Sequence, residues 1–259
     1  MTVCLLGTKG GTGTTSMTVN VGAEVWRVTG RPTVLLDLKP GPGDVALFLG
    51  LRPRHTLTHV LDRLAWREPA LVLGCLTRHA SGLEVLAAGD DWGRPAPRDA
   101  EGIEATLACL RQTHDFVLVD AGSMPSVAVA AALQAVDLVV LVANPDVACL
   151  RHLPRLRDAL RLAGVSDDRM RILLNRASEA GIVSAAQIEQ VLGVSIDWSV
   201  PSDYRTMAAA MTSGGPVRGE RAPGLQLHLE QVARGLAATA DAPATATLAA
   251  RSGDAGPAW

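Results

Sequence analysis

The glycine-rich stretch at residues 7–16, Gly-Thr-Lys-Gly-Gly-Thr-Gly-Thr-Thr-Ser, constrains the fold of this chain more than any other segment. It follows the apolar run at residues 3–6 and precedes a helical pattern over residues 16–29. A glycine-rich turn between a strand and a helix lets successive backbone N–H groups face one anion at the positive end of the helix. The segment therefore predicts a phosphate-binding loop, and a glycine-rich turn without a ligand is the alternative.

The loop departs from the usual phosphate-binding pattern at two positions. Thr15 lies where the loop hydroxyl meets Mg²⁺, but Thr14 lies where a lysine should reach the β- and γ-phosphates. Thr8 replaces the first glycine of the pattern, which is acceptable if its φ is negative. Without the lysine, a positive charge is missing beside the γ-phosphate, where phosphoryl transfer relies on electrostatic stabilisation. We therefore expect weak hydrolysis or none.

Strand and helix patterns alternate along the 259 residues. Strands are predicted over residues 3–6, 33–37, 83–88, 115–120, 137–143, 170–175 and 194–198. Helices are predicted over residues 16–29, 57–66, 100–112, 127–135, 147–163, 184–192, 203–212 and 225–238, with a short helix or turn over 45–51 and a helix or short strand over 68–76. Such alternation is typical of a parallel sheet with helices on both faces and ligands at the carboxyl ends of the strands.

We therefore predict an α/β protein with a P-loop NTPase-like three-layer fold, in which a mostly parallel sheet has helices on both faces. No shift in composition divides the chain before its end, so one domain is expected over residues 1–240. Residues 38–44 and 90–99 are predicted loops because proline, glycine and polar residues dominate them. Residues 241–259, mostly Ala, Thr, Pro and Gly, are expected to form a disordered tail.

Composition argues against several classes of function. The 24 basic and 26 acidic residues leave a net charge of -2, which disfavours a broad nucleic-acid-binding surface. Four arginines on one predicted helix form either a local DNA-binding stripe or, more ordinarily, a solvated helix face: Arg151, Arg155, Arg157 and Arg161. The four scattered cysteines suggest neither a zinc site nor a disulfide framework. No apolar run is long enough to span a membrane, and no signal peptide is evident, so we expect a cytoplasmic protein.

Polar residues end several predicted strands, at the edge of the sheet where a ligand would lie. Asp37 and Asp120 each end a buried apolar strand, and Asn175 ends a later one. The acid at the end of a strand such as residues 116–120 can hold Mg²⁺ through water. Both acids could instead cap strand-to-loop turns, and an asparagine often ends a strand without binding a ligand.

In order and spacing, the loop and four further stretches resemble the deviant-Walker ATPases of the MinD and ParA kind. The four stretches are Val-Leu-Leu-Asp-Leu at 34–38, Phe-Val-Leu-Val-Asp at 116–120, Leu-Leu-Asn-Arg at 173–176 and Val-Pro-Ser-Asp at 200–203. The resemblance covers residues 1–238. Within this group, residues 43–57 and 200–205 look most like the TadZ/CpaE branch, which belongs to the Flp (Tad) type IV pilus assembly machinery and is associated with polar localisation.

The resemblance implies ATP or ADP and Mg²⁺ as cofactors, and it implies a homodimer that sandwiches the nucleotide. Lys9 would be the signature lysine that reaches the phosphates of the partner subunit, although a solvated loop lysine is the alternative. The implied metal residues are Thr15, Asp37 and Asp120. The implied nucleotide-binding residues are Lys9, Gly10, Gly11, Thr12, Gly13, Thr14, Thr15, Ser16, Asn175, Arg176, Pro201 and Asp203, and Asn175 with the 201–203 loop would contact adenine.

A further departure from the family is Lys39, which stands where the family has an acid two residues after Asp37. That acid is thought to position the attacking water, and a charged lysine cannot accept a proton. Together with Thr14, this change makes a competent ATPase unexpected. One hypothesis is that Lys39 swings to the γ-phosphate and replaces the missing charge, and a solvated loop lysine is the plainer alternative.

The resemblance and its departures predict a nucleotide-binding localisation or assembly factor of the TadZ/CpaE type for pilus or secretion machinery. It would act as a dimer with weak or absent hydrolysis, and it would be recruited to a cell pole. The first alternative is a slow MinD/ParA-type ATPase for cell division or partitioning. The second is a nucleoid-binding partitioning protein, and the balanced charge makes DNA an unlikely partner.

Two features of the family are not expected in this chain. Members of the branch commonly carry a receiver-like domain ahead of the ATPase-like domain, whereas Met1 here leads directly into the first predicted strand. MinD-type membrane attachment uses a basic amphipathic C-terminal helix, but the polar face of the helix over 225–238 carries little positive charge. We therefore expect that helix to pack on the domain.

Overall fold

The strands of the computed structural model are apolar on both faces because they form the middle layer of the fold. The structure describes residues 1–39, 41–89, 99–177, 184–219 and 222–242. Its strands are β1 (Thr2–Gly7), β2 (Thr33–Asp37), β3 (Thr77–Arg78), β4 (Glu84–Leu86), β5 (Phe116–Asp120), β6 (Leu138–Ala143), β7 (Met170–Ala177) and β8 (Trp198–Pro201). They form one sheet in the order β3-β4-β2-β5-β1-β6-β7-β8, which is parallel except for the β3–β4 pair. The carboxyl ends of β1, β2 and β5 therefore lie side by side.

Helices cover both faces of this sheet. They are α1 (Thr14–Thr29), α2 (Val45–Phe48), α3 (Leu57–Asp62), α4 (Pro69–Gly74), α5 (Ala100–Thr113), α6 (Val127–Ala135), α7 (Val147–Leu162), α8 (Ala185–Leu192), α9 (Tyr204–Thr212) and α10 (Pro223–Asp241). Side chains alternate along β1, so that Cys4 and Leu6 join the core under α5, α6 and α7, while Val3 and Leu5 join the core under α1 and α10. The predicted three-layer α/β fold is confirmed.

The first difference from the sequence prediction lies at the edge of the sheet near β4. The strand predicted over 83–88 is shorter, Glu84–Leu86, and it pairs with a two-residue antiparallel strand, Thr77–Arg78, that was not predicted. A strand of two residues has no periodicity that a sequence pattern could reveal. The hairpin closes through Gly82, whose φ of 94° favours glycine.

The last strand begins later than predicted, at Trp198 instead of residue 194. Asp197 explains the shift, because its carboxylate accepts the backbone N–H of Ile172 at 2.7 Å. A side chain thus takes the place of a ladder bond, and pairing with β7 starts at the next residue. The prediction over 194–198 was wrong for this reason.

The helices follow their predicted positions with adjusted ends. The segment over 57–66 divides, because Leu64 has a φ of 52° and a short 3₁₀ turn, Ala65–Arg67, follows α3. The segment over 68–76 contains helix α4. α10 packs on α1 through its buried apolar side chains, as predicted. The predicted loop at 90–98 and the tail at 243–259 lie outside the described residues. Among the described residues, no helix is long and apolar enough to cross a membrane.

Candidate functional site

The phosphate-binding loop bends through two glycines with positive φ, Gly11 at 79° and Gly13 at 89°. Gly13 caps α1, which therefore begins at Thr14, two residues earlier than predicted. The backbone N–H groups in the first turn of a helix have no intrahelical acceptor, and the helix dipole favours an anion beside them. The space next to Gly10 and Gly11 is open. The loop thus has the form of an anion-binding cradle.

The side chains of Thr12 and Thr14 point under this loop, away from the cradle. Both are buried, and their hydroxyl oxygens lie 3.2 Å apart. A Cβ atom on Gly7 would meet each hydroxyl oxygen at 2.5 Å, so only glycine fits at the end of β1. Because the Thr14 hydroxyl is engaged below the loop, position 14 offers a ligand its backbone N–H alone. The predicted contact of Thr14 with nucleotide is therefore restricted to its main chain.

Asp37 and Asp120 form a fully buried carboxylate pair at the carboxyl edge of the sheet. The two residues are direct neighbours in the register of β2 and β5. Thr15 donates its hydroxyl to Asp120 at 2.6 Å, which joins the loop to the pair. The structure thus brings together the three residues that the resemblance implied for a metal.

Each carboxylate also caps a turn. Asp37 accepts the backbone N–H groups of Lys39 at 3.0 Å and Val45 at 3.1 Å, and Asp120 accepts that of Gly122 at 3.0 Å. Both acids therefore cap strand-to-loop turns, as the alternative interpretation predicted. That interpretation does not account for the burial of two acids side by side, which hydrogen bonds alone do not neutralise.

Burial raises the pKa of Asp37 to about 8, and the neighbouring Asp120 carboxylate contributes to the shift. Burial also raises the pKa of Asp120, although hydrogen bonds from Thr15 and Gly122 and the charge of Lys39 oppose it. Two buried carboxylates that resist ionisation lack a counter-cation. Carboxylate and hydroxyl oxygens are the ligands that Mg²⁺ prefers, and Mg²⁺ commonly takes few protein ligands and completes its shell with water and phosphate. The described residues hold no larger cluster of His, Cys, Asp and Glu, and the donor set here fits a magnesium ion that arrives with a nucleotide.

The chain contains two lysines, and both lie at this edge of the sheet. Lys9 pairs with Asp146 at 3.1 Å, and the two side chains are 30% and 40% exposed. Asp146 also caps α7. Burial works against ionisation of Asp146, but the Cys149 N–H and the Lys9 ammonium outweigh it and lower its pKa. Lys9 is thus held within its own subunit here and is accessible from outside.

Lys39 lies in the loop between β2 and α2, close to the carboxylate pair. Its ammonium pairs with Asp44, and a Cβ on Gly122 would contact its side chain at 3.3 Å. Its charge reaches Asp120 and opposes the rise in the pKa of Asp120 that burial causes. Lys39 is therefore a paired side chain beside the carboxylate pair, and not a freely solvated loop lysine.

Asn175 connects the far side of the site to the phosphate-binding loop. Its side-chain nitrogen donates to the Thr12 carbonyl at 2.7 Å, and its oxygen accepts the N–H of Arg176 at 2.9 Å. Arg176 has a φ of 57°, and the β7–β8 register shifts around it, which marks a β-bulge. Asn175 thus positions the loop through one of its two amide N–H groups, and its side chain also lines the pocket beside the loop.

A pocket of about 160 Å³ opens beside the loop. Its lining unites six of the predicted residues, namely Gly13, Ser16, Asn175, Arg176, Pro201 and Asp203. Asp203 caps α9 through Thr206, and that hydrogen bond lowers its pKa. The volume admits one flat ring system, well below the size of a whole-ligand site. Gly13 belongs to both the loop and the pocket, so a base in the pocket would place phosphates at the cradle.

A family model described as cellulose biosynthesis protein BcsQ matches residues 1–180 of this chain. The chain belongs to the BcsQ family. Through it, the chain is a member of the MinD/ParA-type ATPase superfamily, as the sequence predicted.

Curated relatives of this BcsQ-family chain include several septum site-determining proteins. The MinD homolog of Arabidopsis thaliana chloroplasts is 26% identical over 236 residues, which is 87% of this chain and 71% of that protein. The putative MinD of Oltmannsiellopsis viridis is 24% identical over 209 residues, which is 78% of this chain and 64% of that protein. The chain thus spans less than two thirds of the length of the second relative.

Solved structures share the fold of this BcsQ-family chain. A ParA family ATPase from Chlorobium tepidum has a TM-score of 0.78 at 21% identity, covering 91% of this chain and 98% of its own. MinD in a MinC:MinD complex from Aquifex aeolicus has a TM-score of 0.76 at 21% identity, covering 92% and 95%. MinD from Pyrococcus horikoshii, complexed with Mg-ADP, has a TM-score of 0.76 at 20% identity, covering 94% and 100%.

Sequence reasoning missed several residues of the site. Asp146 was not singled out, because its pairing with Lys9 depends on the adjacency of β1 and β6. The apolar side of the pocket was missed because its residues resemble ordinary core residues: Met17, Phe48, Met207 and Met211. Cys149 was considered only as a scattered thiol, but its sulfur lies 3.1 Å from the Thr8 hydroxyl. The φ angle of Thr8 is not positive. A threonine can therefore replace the glycine at this position of the loop.

Proposed function

We propose that this chain is a nucleotide-binding localisation or assembly factor that binds ATP or ADP with Mg²⁺ and acts as a homodimer with weak or absent hydrolysis. One observation carries the proposal: Thr15 joins the phosphate-binding loop to the buried Asp37–Asp120 pair, while the Thr14 side chain is turned away from the cradle. The site is built to bind a magnesium nucleotide. It lacks the loop cation that would stabilise phosphoryl transfer.

The ligand would extend from the pocket beside Gly13 to the carboxylate pair. A base would lie against the apolar side of the pocket, and phosphates would accept N–H groups from the start of α1. Thr15, Asp37 and Asp120 would hold Mg²⁺, which would supply charge neutralisation between the phosphates and the acids. Relatives of known structure include a MinD with Mg-ADP, which supports this choice of ligand.

Dimerisation would use the same edge of the sheet. Lys9 would leave Asp146 and pair with the phosphates of the partner subunit, as in the family that the sequence resembles. An exposed ion pair of this kind contributes ~0–1 kcal/mol, so exchanging it costs little. Three exposed apolar side chains on the loops and helix starts after β5 and β6 would be covered by the partner: Met124, Val127 and Val147.

The machinery served by the switch is proposed on two different grounds. Residues 43–57 and 200–205 favour Flp (Tad) pilus or secretion assembly proteins as partners, with recruitment to a cell pole. The family match over residues 1–180 favours a cellulose-synthesis apparatus as the second candidate. Deleting the gene and measuring pilus assembly and cellulose production separately distinguishes the two.

A slow MinD/ParA-type ATPase in cell division or partitioning is the alternative that the names of the relatives favour. DNA partitioning has less support, because two arginines of the α7 stripe are already paired with acids: Arg157 with Asp167, and Arg161 with Asp158 and Asp167. A measurable ATP turnover that Asp120→Ala abolishes would favour the ATPase over a binding switch.

Calorimetry with sedimentation of the same sample tests the proposal. We expect MgATP to bind in the micromolar to sub-millimolar range and to shift monomer to dimer, and we expect Lys9→Ala to abolish the shift but not the binding. Arg54→Ala, an exposed change away from the loop, is the control. No binding at millimolar MgATP together with a constitutive dimer would make the loop a relic and the protein a scaffold.

A further inference from the structure

A second cleft, of about 500 Å³, lies at the amino-terminal edge of the sheet, opposite the phosphate-binding loop. Its lining includes the first residues of β2 and β4, Thr33 and Glu84, and His114 just before β5. Small-molecule sites commonly have volumes of about 300–1,000 Å³. The cleft is therefore large enough for a ligand, and the nucleotide site does not use it.

A cation and an anion face this cleft without neutralising each other. Arg78 and Glu84 are direct cross-strand partners in the β3–β4 hairpin, so their side chains lie on the same face. Both line the cleft, yet no ion pair joins them among the described residues. Glu84 is bound instead to His114, and Arg78 is exposed.

His114 fixes the position of the Glu84 carboxylate. The imidazole side chain is 5% exposed, and its Nε2 lies 2.8 Å from Oε2 of Glu84. Nδ1 lies 2.9 Å from the Thr113 hydroxyl and 3.2 Å from the Leu110 carbonyl. The hydroxyl donates to Nδ1 of a neutral imidazole, and Nδ1–H of a protonated imidazole donates to the carbonyl; in both forms Nε2–H donates to Glu84. This hydrogen bond engages Oε2, and the Glu84 side chain, which lines the cleft, is still 35% exposed.

The remaining wall of the cleft is apolar and aromatic. Trp26 packs against Gly82, where a Cβ atom would come within 2.5 Å of the indole ring. The indole is thereby held in place, and it is still 37% exposed on the cleft side of the protein. Leu73 and Leu76 continue this surface. An aromatic ring of a ligand would find a fixed stacking partner in Trp26.

We propose that this cleft binds an aromatic α-amino acid, or a close zwitterionic relative, with its ammonium group on Glu84, its carboxylate on Arg78 and its ring against Trp26. A simple anion that bound Arg78 would be repelled by Glu84, and a simple cation that bound Glu84 would be repelled by Arg78. A molecule that carries both charges a few ångströms apart satisfies both side chains at once. The apolar wall adds the contact that a small hydrophilic zwitterion would lack.

The test uses the full chain, saturated with MgADP so that the phosphate-binding loop is occupied, and L-phenylalanine as the probe in calorimetry and ligand-observed NMR. Phenethylamine, which lacks the carboxylate, and 3-phenylpropionate, which lacks the ammonium, are the matched analogues. We expect L-phenylalanine to bind in the millimolar range or tighter, and both analogues to bind about 10- to 100-fold more weakly, since each loses one charge-assisted hydrogen bond.

Two variants assign the charges. Arg78→Gln should weaken L-phenylalanine by about 10-fold or more and leave phenethylamine unchanged, and Glu84→Gln should weaken L-phenylalanine and leave 3-phenylpropionate unchanged. The amide introduced by Glu84→Gln keeps an oxygen that accepts from His114, and thermal unfolding verifies that both variants fold. Arg54→Gln is the control for an exposed arginine outside the cleft. Absence of L-phenylalanine binding, equal affinity for all three probes, or binding that neither variant weakens would each overturn the proposal.

Discussion

Replacing Lys39 with methionine tests whether this lysine supplies the charge that Thr14 does not. Lys39 pairs with Asp44, and the two side chains are 35% and 45% exposed. An ion pair that is this accessible contributes ~0–1 kcal/mol to folding, so Lys39→Met should hardly change the stability of the free protein. Its cost should appear only when a γ-phosphate is present.

The size of that cost follows from the contact that would be lost. A hydrogen bond between charged groups contributes about 1.5–3 kcal/mol, which corresponds to roughly a 10- to 150-fold change in Kd. Lys39→Met should therefore weaken MgATP by about that factor and leave MgADP within about twofold, because ADP has no γ-phosphate. Asp44→Asn releases the ammonium from its partner, so it should strengthen MgATP by a few-fold.

Calorimetric titration of both nucleotides measures the two affinities. Chemical modification of lysine side chains provides a second assay, because the chain contains two lysines, Lys9 and Lys39. Acetylation with an amine-selective reagent, followed by mass spectrometry, should show that ATP protects Lys39 and that ADP does not. The reasoning is refuted if Lys39→Met leaves ATP affinity unchanged, or if it weakens ATP and ADP equally.

Three further predictions concern the loop and the carboxylate pair. The pKa of Asp37 is about 8 in the native state and 3.8 in the unfolded state, so the native state binds an extra proton between these two pH values. The free energy of unfolding should therefore fall as pH rises through this window, by up to about 1.4 kcal/mol per pH unit. Urea unfolding in EDTA at pH 5 to 8 checks this, and Asp37→Asn should flatten the slope; a wild-type slope of the opposite sign would contradict it. Asn175→Ala removes the shorter of two donors to the Thr12 carbonyl, since the Asn144 amide can still donate to it at 3.2 Å, and it should cost about 0.5–1.5 kcal/mol of stability; an unfolding midpoint equal to the wild type would show that the bond is dispensable. Gly13→Ala should abolish nucleotide binding, because φ is 89° and the new Cβ would lie 2.5 Å from Nδ2 of Asn175; wild-type affinity in calorimetry would exclude that mechanism.

The sequence was informative where local chemistry decides the structure. Asp37 and Asp120 end apolar strands, and parallel strands bring their carboxyl ends to one edge, so their meeting could be predicted. The start of β8 could not be predicted in this way, because the Asp197 side chain substitutes for a ladder bond. Its partner, Ile172, lies 25 residues away, and no local pattern indicates that pairing. The sequence also did not reveal β3, which is two residues long.

The directions of individual side chains could not be predicted from the sequence. Thr14 was predicted to depart from the phosphate-binding pattern, but the rotation of its side chain under the loop depends on Gly7 and Thr12, which meet it only in the folded chain. The partners of the two lysines, Asp146 and Asp44, likewise follow from the packing of loops at one edge. The predicted contact of Asn175 with adenine stays a prediction, and its hydrogen bond to the Thr12 carbonyl is a second role that the sequence did not reveal.

The Asp37–Asp120 pair suggests how a nucleotide site that hydrolyses ATP weakly or not at all could still act as a conformational switch. Asp37 holds the loop that follows it through the N–H groups of Lys39 and Val45, and Gly43 passes so close that a Cβ atom there would lie 2.2 Å from its carboxylate. Any cation that neutralises Asp37 would therefore act on the two backbone groups that this carboxylate holds, the N–H groups of Lys39 and Val45. A ligand shifts a conformational equilibrium only by the difference in its affinity for the two states, and the cost of ionising two buried acids side by side provides such a difference. On the proposed function, binding and release of a magnesium nucleotide would then change how Asp37 holds Lys39 and Val45 without bond cleavage.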